Sequence, residues 1–179
     1  MKKVLLLHGW GGSDYPHWQS WLAGELAKDY GCVSFLKFSN FDFPNKNEWL
    51  LQLTKELEDF NPDIVICHSL ANILWFHLCN EKKIREVQNL ILVSPPSPEC
   101  TIKELSSFFP CTLPASLYAK NSLLITSTND PYITKKETQE LEEALNIESL
   151  VLENAGHINS DSGYGEWPWI LEKIKNLSN

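Results

Sequence analysis

Ile64-Val65-Ile66-Cys67-His68-Ser69-Leu70-Ala71-Asn72 is the stretch on which the reading of this chain turns. Ile64 to Cys67 is apolar and mostly β-branched, as a strand covered on both faces must be. From Leu70 to Leu78 the chain is apolar almost all round, which predicts a central, buried helix. Ser69 therefore lies on a very tight strand-to-helix turn. Such a turn demands small residues two before and two after the serine, because those positions pack against neighbouring backbone. The usual G-x-S-x-G form has glycine at both; here Cys67 and Ala71 are small without being glycine. The alternative is that Ser69 merely caps the helix that follows it.

Outward from this segment the alternation continues. Val4–Leu7, Cys32–Phe38, Leu90–Val93, Leu123–Thr126 and Leu150–Leu152 read as further short strands. A helix starts near Pro16 and repeats Trp18, Trp21, Leu22 and Leu26. Asn45 to Glu48 has capping-box spacing and opens a helix with Trp49, Leu50, Leu53, Leu57 and Phe60 on one face, ended by Asn61-Pro62. Thr134 to Glu137 is a second capping box, and Trp167, Ile170, Ile174 and Leu177 mark a last helix. Residues 95–118 break the rhythm with Pro95, Pro96, Pro98, Pro110 and Pro114. Six β segments joined by helices predict a compact α/β fold: a mostly parallel, doubly wound sheet with helices on both faces. Residues 1–179 suit a single domain.

Composition removes several classes of function. With 15 Lys+Arg against 23 Asp+Glu, the net charge of −8 repels phosphate backbones, and no basic cluster offsets it, so nucleic acid is not expected as a partner. No apolar run approaches the roughly 20 residues of a membrane helix. The opening Met1-Lys2-Lys3-Val4-Leu5-Leu6-Leu7 imitates a secretory signal, but its apolar stretch ends after four residues and no cleavage site follows. The five cysteines are odd in number and form no CxxC pair; Cys32, Cys67 and Cys79 sit in apolar runs as buried free thiols do. A reducing cytoplasm is the expected location.

In open α/β sheets ligands gather at the carboxyl ends of the strands. Ser69 follows the third strand. The fifth ends in Ser127-Thr128-Asn129-Asp130-Pro131-Tyr132 and the sixth in Glu153-Asn154-Ala155-Gly156-His157. The order Ser69, Asp130, His157 is that of an α/β-hydrolase catalytic triad. Singly, Asp130 before proline reads as a turn residue and His157 as a loop histidine; together, after the right strands, they read as acid and base. Glu99 is the rival acid, although its Pro-rich setting anchors it poorly. Cys67 is a rival nucleophile, disfavoured because burial opposes its thiolate. After the first strand comes His8-Gly9-Trp10-Gly11-Gly12. In this architecture the loop there supplies one backbone N–H of an oxyanion hole, from Trp10, and the residue after the nucleophile, Leu70, supplies the other. A dinucleotide loop fails, since G-x-G-x-x-G needs glycine where Asp14 stands. His8 orders its own loop, His68 packs or tunes, and His17 and His77 on helices match no metal spacing. Phe108, Phe109 and Trp10 are candidates for an apolar acyl pocket, or for plain core packing.

These segments resemble the small serine hydrolases of the YdeN and retinoblastoma-binding protein 9 family, within the α/β-hydrolase superfamily. The resemblance runs along essentially the whole chain. It rests on His8 to Ser13 with His17-Trp18, on His68-Ser69-Leu70, on Asn129 to Tyr132, on Gly156 to Asn159 and on Ser162 to Pro168. Matched residue by residue, it implies Ser69 as nucleophile, Asp130 as acid and His157 as base, with the leading strands of the full fold absent. Cys67 departs from the family's usual glycine. A retinoblastoma-type partner is not supported: L-x-C-x-E needs leucine where His77 precedes Leu78-Cys79-Asn80-Glu81. The expectation is a serine hydrolase that cleaves a small ester, thioester or amide through an acyl-enzyme, with a small-molecule acyl substrate and neither metal nor organic cofactor. The alternatives are a non-catalytic binding or scaffold protein on the same fold, and a lyase that uses the same residues as a base.

Overall fold

Strand and α-helix alternate except between the fourth and fifth strands in a computed structural model that describes residues 2–30, 32–81 and 84–178. The elements are β1 (Val4–Leu7), α1 (Trp18–Tyr30), β2 (Val33–Leu36), α2 (Lys46–Phe60), β3 (Ile64–His68), α3 (Leu70–Glu81), β4 (Val87–Val93), β5 (Ala119–Ser127), α4 (Lys135–Leu145), β6 (Glu148–Leu152) and α5 (Pro168–Ser178). Short 3₁₀ turns occupy Lys103–Leu105 and Ser160–Ser162. The strands form one six-stranded sheet in the order β2-β1-β3-β4-β5-β6, and every neighbouring pair is parallel.

Side chains alternate across the sheet with the strand period of two. Leu5, Leu7, Val65, Cys67, Leu90 and Leu92 enter one core layer with Trp49, Leu53 and the buried face of α3. Val4, Leu6, Ile64, Ile66, Ile91 and Val93 enter the other with Trp18, Leu22 and Leu26 of α1 and Ile170 and Ile174 of α5. Both faces are therefore covered, which is why β1 and β3 show no polar alternation. The helix ends follow local chemistry. Asn45 caps α2 by accepting from the Asn47 and Glu48 N–H groups, Asn61 ends it in the left-handed region, and Thr134 with Glu137 forms a reciprocal capping box on α4.

The edges of the elements depart from the sequence reading where strands carry polar residues. β4 begins three residues earlier than its apolar run, and β5 four residues earlier than its own. Asn89 pairs in register with Asn121, and the Asn121 side-chain amide donates to Asn89 Oδ1 at 3.4 Å. Val87 at the head of β4 is already in the core, and this side-chain bond links the polar residues that follow it on the two strands. β6 starts with the exposed Glu148 and Ser149 because it is an edge strand. His17 sits immediately before α1, not on it. Among the described residues no helix is long and apolar enough to cross a membrane.

Strand order reverses between β1 and β3, since the chain runs outward from β1 to β2 and then returns to the far side of β1. That reversal opens a crevice at the carboxyl ends of the two strands. The β1 loop and Ser69 both border it.

Candidate active site

Ser69 has φ +55°, a left-handed conformation that costs a non-glycine residue roughly 1–2 kcal/mol. The surroundings hold it there. Its N–H donates to the Val93 carbonyl at 3.0 Å, and the Asn72 side-chain amide donates to both the Ser69 carbonyl (2.8 Å) and the Val93 carbonyl (2.9 Å). Asn72 is fully buried on the first turn of α3, so it ties the turn to the end of β4. The strain is that of a sharp strand-to-helix elbow rather than an ordinary cap, which would leave the serine in the extended region.

His157 Nε2 lies 2.8 Å from Ser69 Oγ, and His157 Nδ1 lies 2.9 and 3.0 Å from the two Asp130 carboxylate oxygens. Asp130 also accepts from the Tyr132 N–H at 2.9 Å, which fixes its orientation. Both Asp130 and His157 are buried, while Ser69 is half-buried. The three side chains form an unbroken hydrogen-bonded line from the fifth strand's end to the third's. Glu99 stands apart: it is exposed and borders a separate small cavity with Phe109 and Pro110. Cys67 is fully buried in the strand, and burial pushes its thiol well above the ordinary range, so it holds no thiolate.

The loops that carry Asp130 and His157 are stitched to each other. Asn129 Oδ1 accepts from the Ser127 hydroxyl (2.9 Å) and from the Gly156 N–H (2.7 Å), and Ser127 Oγ accepts from the Ala155 N–H (2.9 Å). Gly156 has φ +58°, and a Cβ there would meet Ser162 Oγ at 2.3 Å, so glycine is required on both counts.

On the opposite side, Gly9 packs directly on the elbow: a Cβ at Gly9 would lie 2.7 Å from Ser69 Cβ and 3.1 Å from the Leu70 nitrogen. His8 fastens this loop. Its Nδ1–H donates to the Gly9 carbonyl at 2.7 Å and its Nε2 accepts the Phe38 N–H at 2.9 Å, a pair of bonds that only the neutral ring makes. Burial lowers its pKa accordingly. Trp10, whose indole N–H donates to the Asp42 carbonyl, and Leu70 both border the cavity in front of Ser69.

That cavity has a volume of about 460 Å³. Pro96, Cys100, Ile102, Leu105 and Tyr132 give it an apolar wall, and His17, Asn159 and Asp161 a polar one. Phe108 and Phe109 are absent from it. Phe108 is fully buried against Trp49 and Phe109 borders the neighbouring cavity, so core packing is their role. Tyr132 stacks edge-on to His157 with ring centroids 4.5 Å apart. All five cysteines are free; Cys67, Cys79 and Cys111 are buried, Cys32 and Cys100 half-buried. The bonds made by Asn72, Ser127 and Ser162 are not encoded in spacing, since a lone polar residue on an apolar helix or in a loop carries no such signal.

A doubly wound parallel sheet with a strained serine after β3, an acid after β5 and a histidine after β6 is an α/β-hydrolase. The chain belongs to the serine hydrolase family, whose model matches residues 4–176. It is 22% identical to YdeN of Bacillus subtilis over 97% of this chain and 94% of that protein. The YdeN structure superimposes with a TM-score of 0.86, covering 99% of this chain and 98% of that one. A YdeN-like protein of Pectobacterium atrosepticum gives 0.76 at 22% identity over 98% and 90%. An esterase domain from Rhodothermus marinus gives 0.65 at 16% identity over 97% and 84%.

Proposed function

We propose that this protein hydrolyses small carboxylic esters, with thioesters and amides as related substrates, through a Ser69–His157–Asp130 triad. The observation that carries the proposal is the continuous hydrogen-bonded line Asp130–His157–Ser69 opening into a 460 Å³ cavity. His157 takes the Ser69 proton as the hydroxyl attacks the acyl carbon. Asp130 holds the imidazole with its proton on Nδ1 and stabilises the imidazolium. The N–H groups of Leu70 and Trp10 receive the developing oxyanion. His157 then protonates the leaving group, and activates the water that releases the acyl chain from Ser69. The reaction so written uses only side chains, main chain and water.

The cavity is within the range of small-molecule sites, about 300–1,000 Å³. Its apolar wall of Ile102, Leu105 and Pro96 suits a short acyl chain, and the likeness to an esterase domain favours esters among the acyl derivatives. Free thiols throughout fit a reducing cytoplasm. The test is labelling with a fluorophosphonate followed by peptide mapping. We expect the label on Ser69 and a Ser69→Ala protein that keeps its fold while kcat on a nitrophenyl ester falls by about a thousandfold or more. An unlabelled wild type without ester turnover would support a binding or scaffold role instead, and a folded Ser69→Ala enzyme with near-normal turnover would refute the nucleophile assignment.

A further inference from the structure

His157 lies in a loop, outside any helix or strand, so no regular ladder fixes its main chain. Both of its main-chain polar groups are nevertheless engaged by side chains. Its N–H donates to Ser162 Oγ at 3.1 Å, and its carbonyl accepts from His68 Nε2–H at 3.1 Å. Neither partner is loose. The Ser162 hydroxyl donates to Asn159 Oδ1 at 2.8 Å, and Gly156 leaves just the space Ser162 occupies. His68 is the last residue of β3, directly before Ser69, and is buried among other rings: His17 at 4.8 Å, His157 at 5.3 Å and Trp18 at 5.7 Å between centroids. Desolvation holds His68 well below its ordinary pKa, so the ring is neutral and has one N–H to give. The Trp18 indole N–H donates to the next carbonyl, that of Ile158, at 2.8 Å, extending the same attachment.

We propose that His68 and Ser162 are positioning residues that bracket the main chain of His157 and hold its ring between Ser69 and Asp130. The proposal rests on the triad reading above. Its physical content is that the elbow and the base are referenced to each other through one side chain. His68 shares the peptide of Ser69 and grips the peptide of His157, so the Oγ to Nε2 distance does not depend on the loop alone. A misplacement of about 1 Å at a reacting group costs on the order of a hundredfold in rate.

Two substitutions separate the hydrogen bond from the packing. His68→Phe fills the ring space without a donor, and His68→Gln offers its amide nitrogen near the position of Nε2. We expect His68→Phe to lower kcat by about 10–100-fold with KM within about twofold, and His68→Gln to stay within about fivefold of wild type. Ser162→Ala should resemble His68→Phe. The second readout needs no turnover: the downfield NMR line of the proton between His157 Nδ1 and Asp130 should broaden in His68→Phe and Ser162→Ala and stay sharp in His68→Gln. A folded His68→Phe protein with wild-type kcat and a sharp line overturns the proposal, as do Phe and Gln variants that are folded and equally impaired. If His68→Phe does not fold, Ser162→Ala decides by the same two measurements. Failure of fluorophosphonate to label wild type would overturn the hydrolase reading, and the bracket would then stand or fall on the NMR line.

Discussion

Gly9→Ala tests whether the β1 loop is built against the elbow. Gly9 has no positive φ, so alanine meets no left-handed penalty there and any destabilisation is spatial. The added Cβ would sit 2.7 Å from Ser69 Cβ, 3.1 Å from the His68 carbonyl oxygen and 3.1 Å from the Leu70 nitrogen. None of these atoms is the end of a flexible side chain, and the Ser69 main chain is already pinned by Val93 and Asn72. Overpacking at a rigid site costs about 1–3 kcal/mol. For a chain of this size each kcal/mol lowers Tm by roughly 2–4 °C, so the expected fall is about 2–12 °C. The Leu70 N–H, the proposed oxyanion donor, moves with the elbow, and kcat should drop by about 10–100-fold. Thermal unfolding and ester turnover measure the two effects. Gly24→Ala is the control: Gly24 is exposed on α1 with nothing within 4 Å of its Cβ position, and alanine there should stabilise by about 0.5–1 kcal/mol at unchanged activity. Wild-type Tm and kcat in Gly9→Ala would refute the packing argument outright.

Asp130→Asn should keep the fold and lower kcat by a few orders of magnitude, because the amide presents the wrong partner to His157 Nδ1–H, while exposed Glu99→Gln should change ester turnover by less than about twofold; the reverse pattern would make Glu99 the acid. Acid should destabilise the protein through its buried histidines. Burial, reinforced by the positive charge that His157 can carry, lowers His17 from 6.5 to about 4, so below pH 6.5 the unfolded chain takes up a proton that the native state refuses until about pH 4. The native state therefore loses about 3 kcal/mol from His17 between those limits, and His8 and His68 shift in the same direction. Urea unfolding from pH 7 to 4.5 should show this slope. It should be shallower by one proton in His17→Asn, which keeps an acceptor for the Gln19 N–H; an unchanged slope would show that His17 titrates alike in both states.

The sheet was legible because its centre is fully covered. Ile64 to Cys67 and Leu90 to Val93 are buried on both faces and cannot alternate, and that continuous run is visible without a partner strand. The polar ends of β4 and β5 were hidden because Asn89 and Asn121 are held by pairing with each other, a property of two segments 32 residues apart. That Ser69, Asp130 and His157 converge could be read because each follows a recognisable strand. The apolar wall of the cavity could not: apart from Tyr132 it comes from residues 96–105, a proline-broken stretch without period, where Ile102 and Leu105 turn inward and the more conspicuous Phe108 goes to the core. Supporting residues such as Ser162 depend on a bond to the backbone of another loop residue, which no local pattern encodes.

The elbow shows how such a dependence is resolved across strands. Glycine is usual two residues before the nucleophile because the turn is crowded. Here Cys67 stands at that position, in register with Leu7 of β1 and Leu92 of β4, with its thiol in the core layer beneath the sheet. The crowding has not vanished. It falls on Gly9, two residues beyond Leu7 on the adjacent strand, where a single methyl group would strike Ser69, and on Ala71, which is fully buried in the same layer as Cys67. The elbow's steric requirement is thus shared between the loop after β1 and the first turn of α3. A motif defined along one segment sees Cys67 and Ala71, scores both as mismatches, and does not see Gly9. The constraint is better stated in space: the loop after β1 must pass Ser69 without a side chain, and in this chain Gly9 meets that condition.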